Sequence, residues 1–140
     1  MGILSDFLIG DDDTAKAYDG ISAFADEDRC QFRRITPLEA AGILSVLRGG
    51  GDSVELIGEF PLLTEEDAEM WTMRVPTDMV TSLAALEGDK LAETASACAD
   101  ATVEELGWSK EDFEPVLRDL HNLALRAQTD QKQMYLWNSL

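Results

Sequence analysis

Apolar residues recur at helical spacing in four stretches of this chain. From Thr36 the sequence reads T-P-L-E and then puts Ala40, Ile43, Leu44 and Leu47 on one face. Thr36 can cap that helix, Pro37 suits its first position, and Glu39 completes a capping box. Gly49-Gly50-Gly51 ends it and starts a turn. A second face joins Met79, Val80, Leu83 and Leu86, opened by Pro76 and closed by Gly88. A third, with Asp89 as its cap, joins Leu91, Ala95, Cys98 and Thr102, and the small neighbours Ala92 and Ala99 let another helix come close. The fourth is the longest, with Phe113, Val116, Leu117, Leu120, Leu123, Ala124 and Ala127 in one stripe.

The corner between the third and fourth helices is the best-defined local signal. Gly107 can take the left-handed conformation that ends a helix. Trp108 is then placed to pack back near Val103 and to pair with Phe113 as a hydrophobic staple. Ser109 is the cap of the next helix, with Asp112 as a weak capping-box partner. Pro115 is in tension with that start, because it removes a backbone bond and its ring crowds Glu111. A start nearer Asp112 would relieve this.

Two other stretches read as strands. Val54–Phe60 predicts a strand of about six residues, stopped by Pro61. Met70–Val75 predicts a second, with Trp71, Met73 and Val75 on one face. Two strands are not independently stable, so a helix or a further strand must cover them. Residues 3–9 fit a helical turn or a strand equally. Residues 14–34 are interrupted by Gly20 and dominated by charge, which predicts a short helix or irregular turns. The tail 133–140 is apolar and aromatic to its end, unlike a frayed terminus. It is expected to dock on the body as an extended strand beside the hairpin, burying Tyr135 and Trp137. The alternative is an exposed patch for a partner. The fold expected is α+β, one domain over 1–140, with about four or five helices and a small antiparallel hairpin or sheet. The alternative is an all-α bundle.

Composition adds one strong constraint. The 28 acidic residues outnumber the 11 basic ones, leaving a net charge of −17. Such a chain should be repelled by nucleic-acid backbones and by anionic membranes. A basic partner, a cation, plain solubility or a salt-rich habitat all suit it. The start, M-G-I-L-S-D-F, lacks the basic end and long apolar core of a signal peptide. No uncharged run approaches the ~18 residues of a membrane helix. Cys98 falls in an alanine-rich helical run and Cys30 in a charged segment; their spacing gives no support to a disulfide, and reduced thiols in the cytoplasm are expected.

Chemistry is sparse. Asp11-Asp12-Asp13 suggests a calcium loop, but an EF-hand starting at Asp11 would need an oxygen ligand, Gly and Glu where this chain has Ala15, Lys16 and Ser22. A solvated acidic loop, or a helix cap from Asp13, fits better. No Lys-Ser/Thr follows the triple glycine, so it is no phosphate loop. His121 is the only histidine. It reads as a boundary residue hydrogen-bonded to a neighbour, and with two distant cysteines it cannot complete a zinc site. No hydrolase, zincin, dithiol or dinucleotide motif occurs. No cofactor, metal or catalytic residue is therefore assigned, and a non-enzymatic role is favoured.

The opening M-G-I-L-S-D-F, the ending Y-L-W-N-S-L and the capped T-P-L-E between them resemble landmarks of a group of small uncharacterised acidic bacterial proteins. The resemblance implies a bacterial cytoplasmic protein and no particular activity.

Two functions remain open. One is an acidic interaction module that meets a basic protein, as immunity proteins and antitoxins do, through Asp11, Asp12, Asp13, Glu65, Glu66, Asp67, Trp71, Tyr135 and Trp137. The other is a small-molecule or cation binder, possibly an enzyme, with its site between the helices and the hairpin and with the loops 11–13 and 65–67 attracting a cation.

Overall fold

A computed structural model describes residues 3–18, 28–65 and 69–139. It is an α+β arrangement of six helices and a four-stranded antiparallel sheet among the described residues. The strands are β1 (Leu4–Gly10), β2 (Arg29–Arg33), β3 (Met70–Arg74) and β4 (Gln133–Ser139). The helices are α1 (Asp12–Lys16), α2 (Pro37–Arg48), α3 (Ser53–Leu56), α4 (Thr77–Ala84), α5 (Asp89–Ala101) and α6 (Lys110–Asp130). A 3-10 turn, Ile57–Glu59, follows α3.

The sheet order is β2-β1-β4-β3, so the C-terminal strand lies inside the sheet, next to the N-terminal one. Leu8 faces Tyr135, Asp6 faces Trp137 and Leu4 faces Ser139 across the β1–β4 pair. Alternation then sorts the side chains. Phe7, Ile9, Met73, Met134 and Leu136 join the main core beneath α2, α4, α5 and α6. Leu8, Tyr135 and Trp137 point the other way and pack with Ala15 and Tyr18 in a second, smaller cluster. The aromatic tail is thus docked, as an interior strand with both faces covered.

The helix stripes are buried as their spacing predicts. Leu91, Ala95, Cys98 and Thr102 are buried, and so are Phe113, Val116, Leu117, Leu120, Leu123, Ala124 and Ala127 of α6. Thr36 and Glu39 form the capping box of α2, and Gly49 ends it in the left-handed region. Ser109 and Asp112 form the box of α6. Trp108 meets Phe113 edge-on, ring centroids 5.2 Å apart. Gly107 is left-handed, at φ 65°. Trp108 does not fold back on Val103, because α5 has already ended at Ala101 and Val103 stays 60% exposed. The helix keeps its early start at Lys110, so Pro115 lies inside it.

Several local expectations are corrected. Residues 54–60 are not a strand. Asp52 follows the glycines and accepts a hydrogen bond from the Val54 N–H, which starts α3 instead. Leu56 and Ile57 then pack on the core from a helical turn. The outer neighbour of β3 is a short run at Pro61–Leu63, with one bridge between Leu62 and Met73. Part of 14–34 is a strand, β2, rather than turns: Cys30 and Phe32 face the core while Arg29, Gln31 and Arg33 alternate with them. Asp11, not Asp13, caps α1, and Gly88, not Asp89, stands at the cap of α5. Helix α4 ends at Ala84, four residues before Gly88, because Leu86 turns inward after it.

Candidate functional site

The residues singled out from the sequence do not gather in one place. Asp11 and Asp13 are exposed and Asp12 half-exposed around α1, at one end of β1. Glu65 is exposed on the loop before β3, and Trp71 is half-buried against the helix-side core. Glu66 and Asp67 lie outside the described residues. Tyr135 is fully buried and Trp137 is 2% exposed, so neither ring offers a surface to a protein partner. Strand pairing on both sides of β4 is the reason.

The three aspartates border a groove of ≈ 540 Å³ that also touches Arg74, Gln133 and Tyr135. Asp11 Oδ1 and both carboxylate oxygens of Asp12 are engaged within the protein. Asp12 accepts from the Tyr135 hydroxyl at 2.6 Å through Oδ1 and pairs with Arg74 through Oδ2. The Tyr135 hydroxyl, then Arg74, holds the Asp12 carboxyl below the usual carboxylate range. Asp11 accepts from the Thr14 backbone N–H and hydroxyl, which lower its pKa in the same way. These bonds explain the run of aspartates as a helix cap and an anchor for β3 and β4. Among the described residues no group of three or more His, Cys, Asp or Glu could hold a metal ion.

Where α4, α6 and β4 meet, a smaller cleft of ≈ 240 Å³ is lined by Thr77, Thr81, Gln128 and Met134 among others. It carries no carboxylate, thiol or imidazole. His121 is half-buried on α6 and its Nδ1 lies 2.9 Å from the Leu83 carbonyl, which ties α6 to α4. Both cysteines are free, and burial pushes each thiol up to about 12, far from a reactive thiolate.

A charge stripe on α5 was not among the candidate site residues named above. On α5, Asp89, Glu93 and Asp100 are exposed at positions two residues before Leu91, Ala95 and Thr102. Two residues turn a helix by about 200°, so the acidic stripe lies opposite the buried one. Glu104, Glu105, Glu111 and Asp112 continue it, exposed, around the corner into α6. Residues 87–114 carry nine carboxylates and only Lys90 and Lys110 as cations. Lys110 is already near Glu114, at 3.7 Å. The signal was present in the sequence as acids in register with the apolar period.

No described helix is long and apolar enough to cross a membrane. No protein-family model matches the chain, and neither a curated protein nor a solved structure does.

Proposed function

We propose that this protein is a non-enzymatic acidic interaction module, of the kind that bacterial immunity proteins and antitoxins represent, and that it meets a basic protein on the outer face of α5 and the α5–α6 corner. The observation that carries this reading is the excess of exposed carboxylates on that face, opposite its core stripe. A field of one sign speeds encounter with an oppositely charged partner and rejects like-charged ones. Carboxylates already bonded internally, such as Asp12, contribute less to docking than the free ones on α5.

The test is a capture experiment with two baits, the natural chain and a variant with Glu93→Gln, Asp100→Asn, Glu104→Gln and Glu105→Gln. All four positions are exposed, so the variant should fold. A basic protein should be retained by the natural chain at low salt, be released at high salt, and be lost from the variant. Equal retention by both baits, or no basic protein on either, refutes the proposal.

A further inference from the structure

Strand β2 lies at the margin of the sheet, paired on one side with β1. The Arg34 N–H donates to the Ile3 carbonyl at 2.8 Å, which fixes the phase of that ladder. In an antiparallel pair, alternate residues turn their N–H and C=O to the neighbour. Arg34, Phe32 and Cys30 therefore face β1, while Gln31 and Arg33 turn their backbone groups outward. Both are exposed, and neither has a backbone partner on that side among the described residues. The opposite margin of the sheet is closed. There the Leu63 N–H donates to the Thr72 carbonyl at 2.9 Å and the Arg74 N–H to the Pro61 carbonyl at 3.0 Å. An unpaired edge is a template for a further strand.

Side chains select that strand. Residues 29–34 hold three arginines and no acid, in a chain with 28 acids. Arg29, Gln31 and Arg33 share one face of β2, with Cys30 and Phe32 on the other, against the helix-side core. Arg29 donates to the Tyr18 hydroxyl at 3.0 Å and Arg34 to the Glu105 carbonyl at 3.1 Å. The exposed Arg33 side chain makes no hydrogen bond or ion pair among the described residues. A second copy of the chain is a poor occupant. Antiparallel pairing of two β2 strands about Gln31 would set Arg29 against Arg33, and like charges directly opposite are destabilising. Two chains of net charge −17 also repel each other. That net charge opposes an acidic partner only at range. At ~0.15 M salt the screening length is about 8 Å, so the charges in contact across the edge dominate. We propose that β2 accepts an extended acidic segment of a partner protein as an added strand, its backbone hydrogen-bonded to Gln31 and Arg33 and a carboxylate opposite Arg33. This proposal rests on the β2 edge and not on the docking proposed for α5.

The test titrates the nitrogen-15-labelled full chain with the peptide Thr-Glu-Val-Glu-Val-Glu-Thr, blocked at both ends. In antiparallel register its glutamates fall opposite Arg29, Gln31 and Arg33. The amide resonances of Gln31 and Arg33 should shift saturably, with half-saturation below about 1 mM, and their exchange with solvent should slow by ~10-fold or more. The same peptide with lysine for each glutamate should bind this edge at least ~10-fold more weakly, although the net charge of the chain attracts it. N-methylation of the central glutamate keeps the charge but removes the N–H that meets the Gln31 carbonyl, and should also weaken binding by ~10-fold or more. Arg33→Glu, at an exposed position, should do the same while leaving the melting temperature unchanged. The proposal is overturned if the glutamate peptide moves neither resonance, if the lysine or the N-methylated peptide binds this edge as tightly, or if Arg33→Glu binds as tightly as the natural chain.

Discussion

The hydroxyl of Tyr135 donates to Asp12 Oδ1 at 2.6 Å, joining the last strand to the first helix. Tyr18 makes the same kind of bond to Asp6, also at 2.6 Å. Burial, reinforced by the carboxylate it donates to, raises the pKa of each phenol. These are the only two tyrosines of the chain. A folded pKa above the unfolded one gives stability that is complete below the unfolded value of about 10 and is lost as pH rises through the folded value. Tyrosinate absorbance should therefore stay absent at about pH 10 and appear together with unfolding at higher pH. Ionisation of either tyrosine near that ordinary value, with circular dichroism unchanged, would contradict these contacts.

Gly42 and Thr102 hold α2 against α5. A Cβ on Gly42 would stand 2.9 Å from the Thr102 Cγ2 methyl. Thr102 cannot swing clear without cost, because its hydroxyl donates to the Cys98 carbonyl at 2.8 Å. Gly42→Ala should destabilise by about 1–3 kcal/mol in urea unfolding, despite the better helix propensity of alanine. Adding Thr102→Ser removes the methyl, keeps the hydroxyl, and should recover part of the loss. A stabilising Gly42→Ala would show that the two helices are not in this close contact.

Arg48 clamps three elements. It ends α2 and binds Glu59 at the end of the 3-10 turn, with Nη2 at 2.7 Å from Oε1, and Asp78 at the start of α4, with Nε at 2.8 Å from Oδ2. Its hydrogen bonds lower the pKa of both carboxyls. Depressed carboxylate pKa values give stability that is present above the unfolded values, near pH 4, and is lost as pH falls through the folded ones. The melting temperature of Arg48→Met should be below that of the natural chain at neutral pH, and the gap should close on acidification. Because the clamp is exposed, the gap should also shrink in high salt. A gap that is constant with pH would mean that the arginine acts by packing alone.

Pro115 sits six residues into α6 and is exposed. It leaves the Glu111 carbonyl without its helical donor. Pro115→Ala restores that bond and touches no core contact. The variant should melt higher than the natural chain, by a gain on the order of 1–3 kcal/mol. A lower melting temperature would mean that the proline's stiffening of the unfolded chain outweighs the lost bond.

Local signals in the sequence carried most of the helical half. Capping boxes at Thr36/Glu39 and Ser109/Asp112, the left-handed glycines 49 and 107, and the apolar stripes all act within a few residues, so spacing alone exposes them. The segment 54–60 failed because two local signals competed there. Its apolar residues suit a strand, but the Asp52 cap after three glycines selects a helical turn. Strand β2 was legible in the alternation of Arg29, Cys30, Gln31, Phe32 and Arg33, and the density of arginine masked it. Placing β4 inside the sheet was beyond the sequence, since that depends on pairing with β1, whose partner residues are more than 120 positions away.

Burial of the aromatic terminus removes Tyr135 and Trp137 from the surface, and the proposed docking on α5 and α6 rests on that architecture. Amide hydrogen exchange tests this most directly. The amides of Met134–Trp137 should be among the slowest in the protein and should open only with global unfolding, as expected for an interior strand. Exchange of these amides at loop rates, while α6 stays protected, would put the tail outside the fold and contradict the architecture described above.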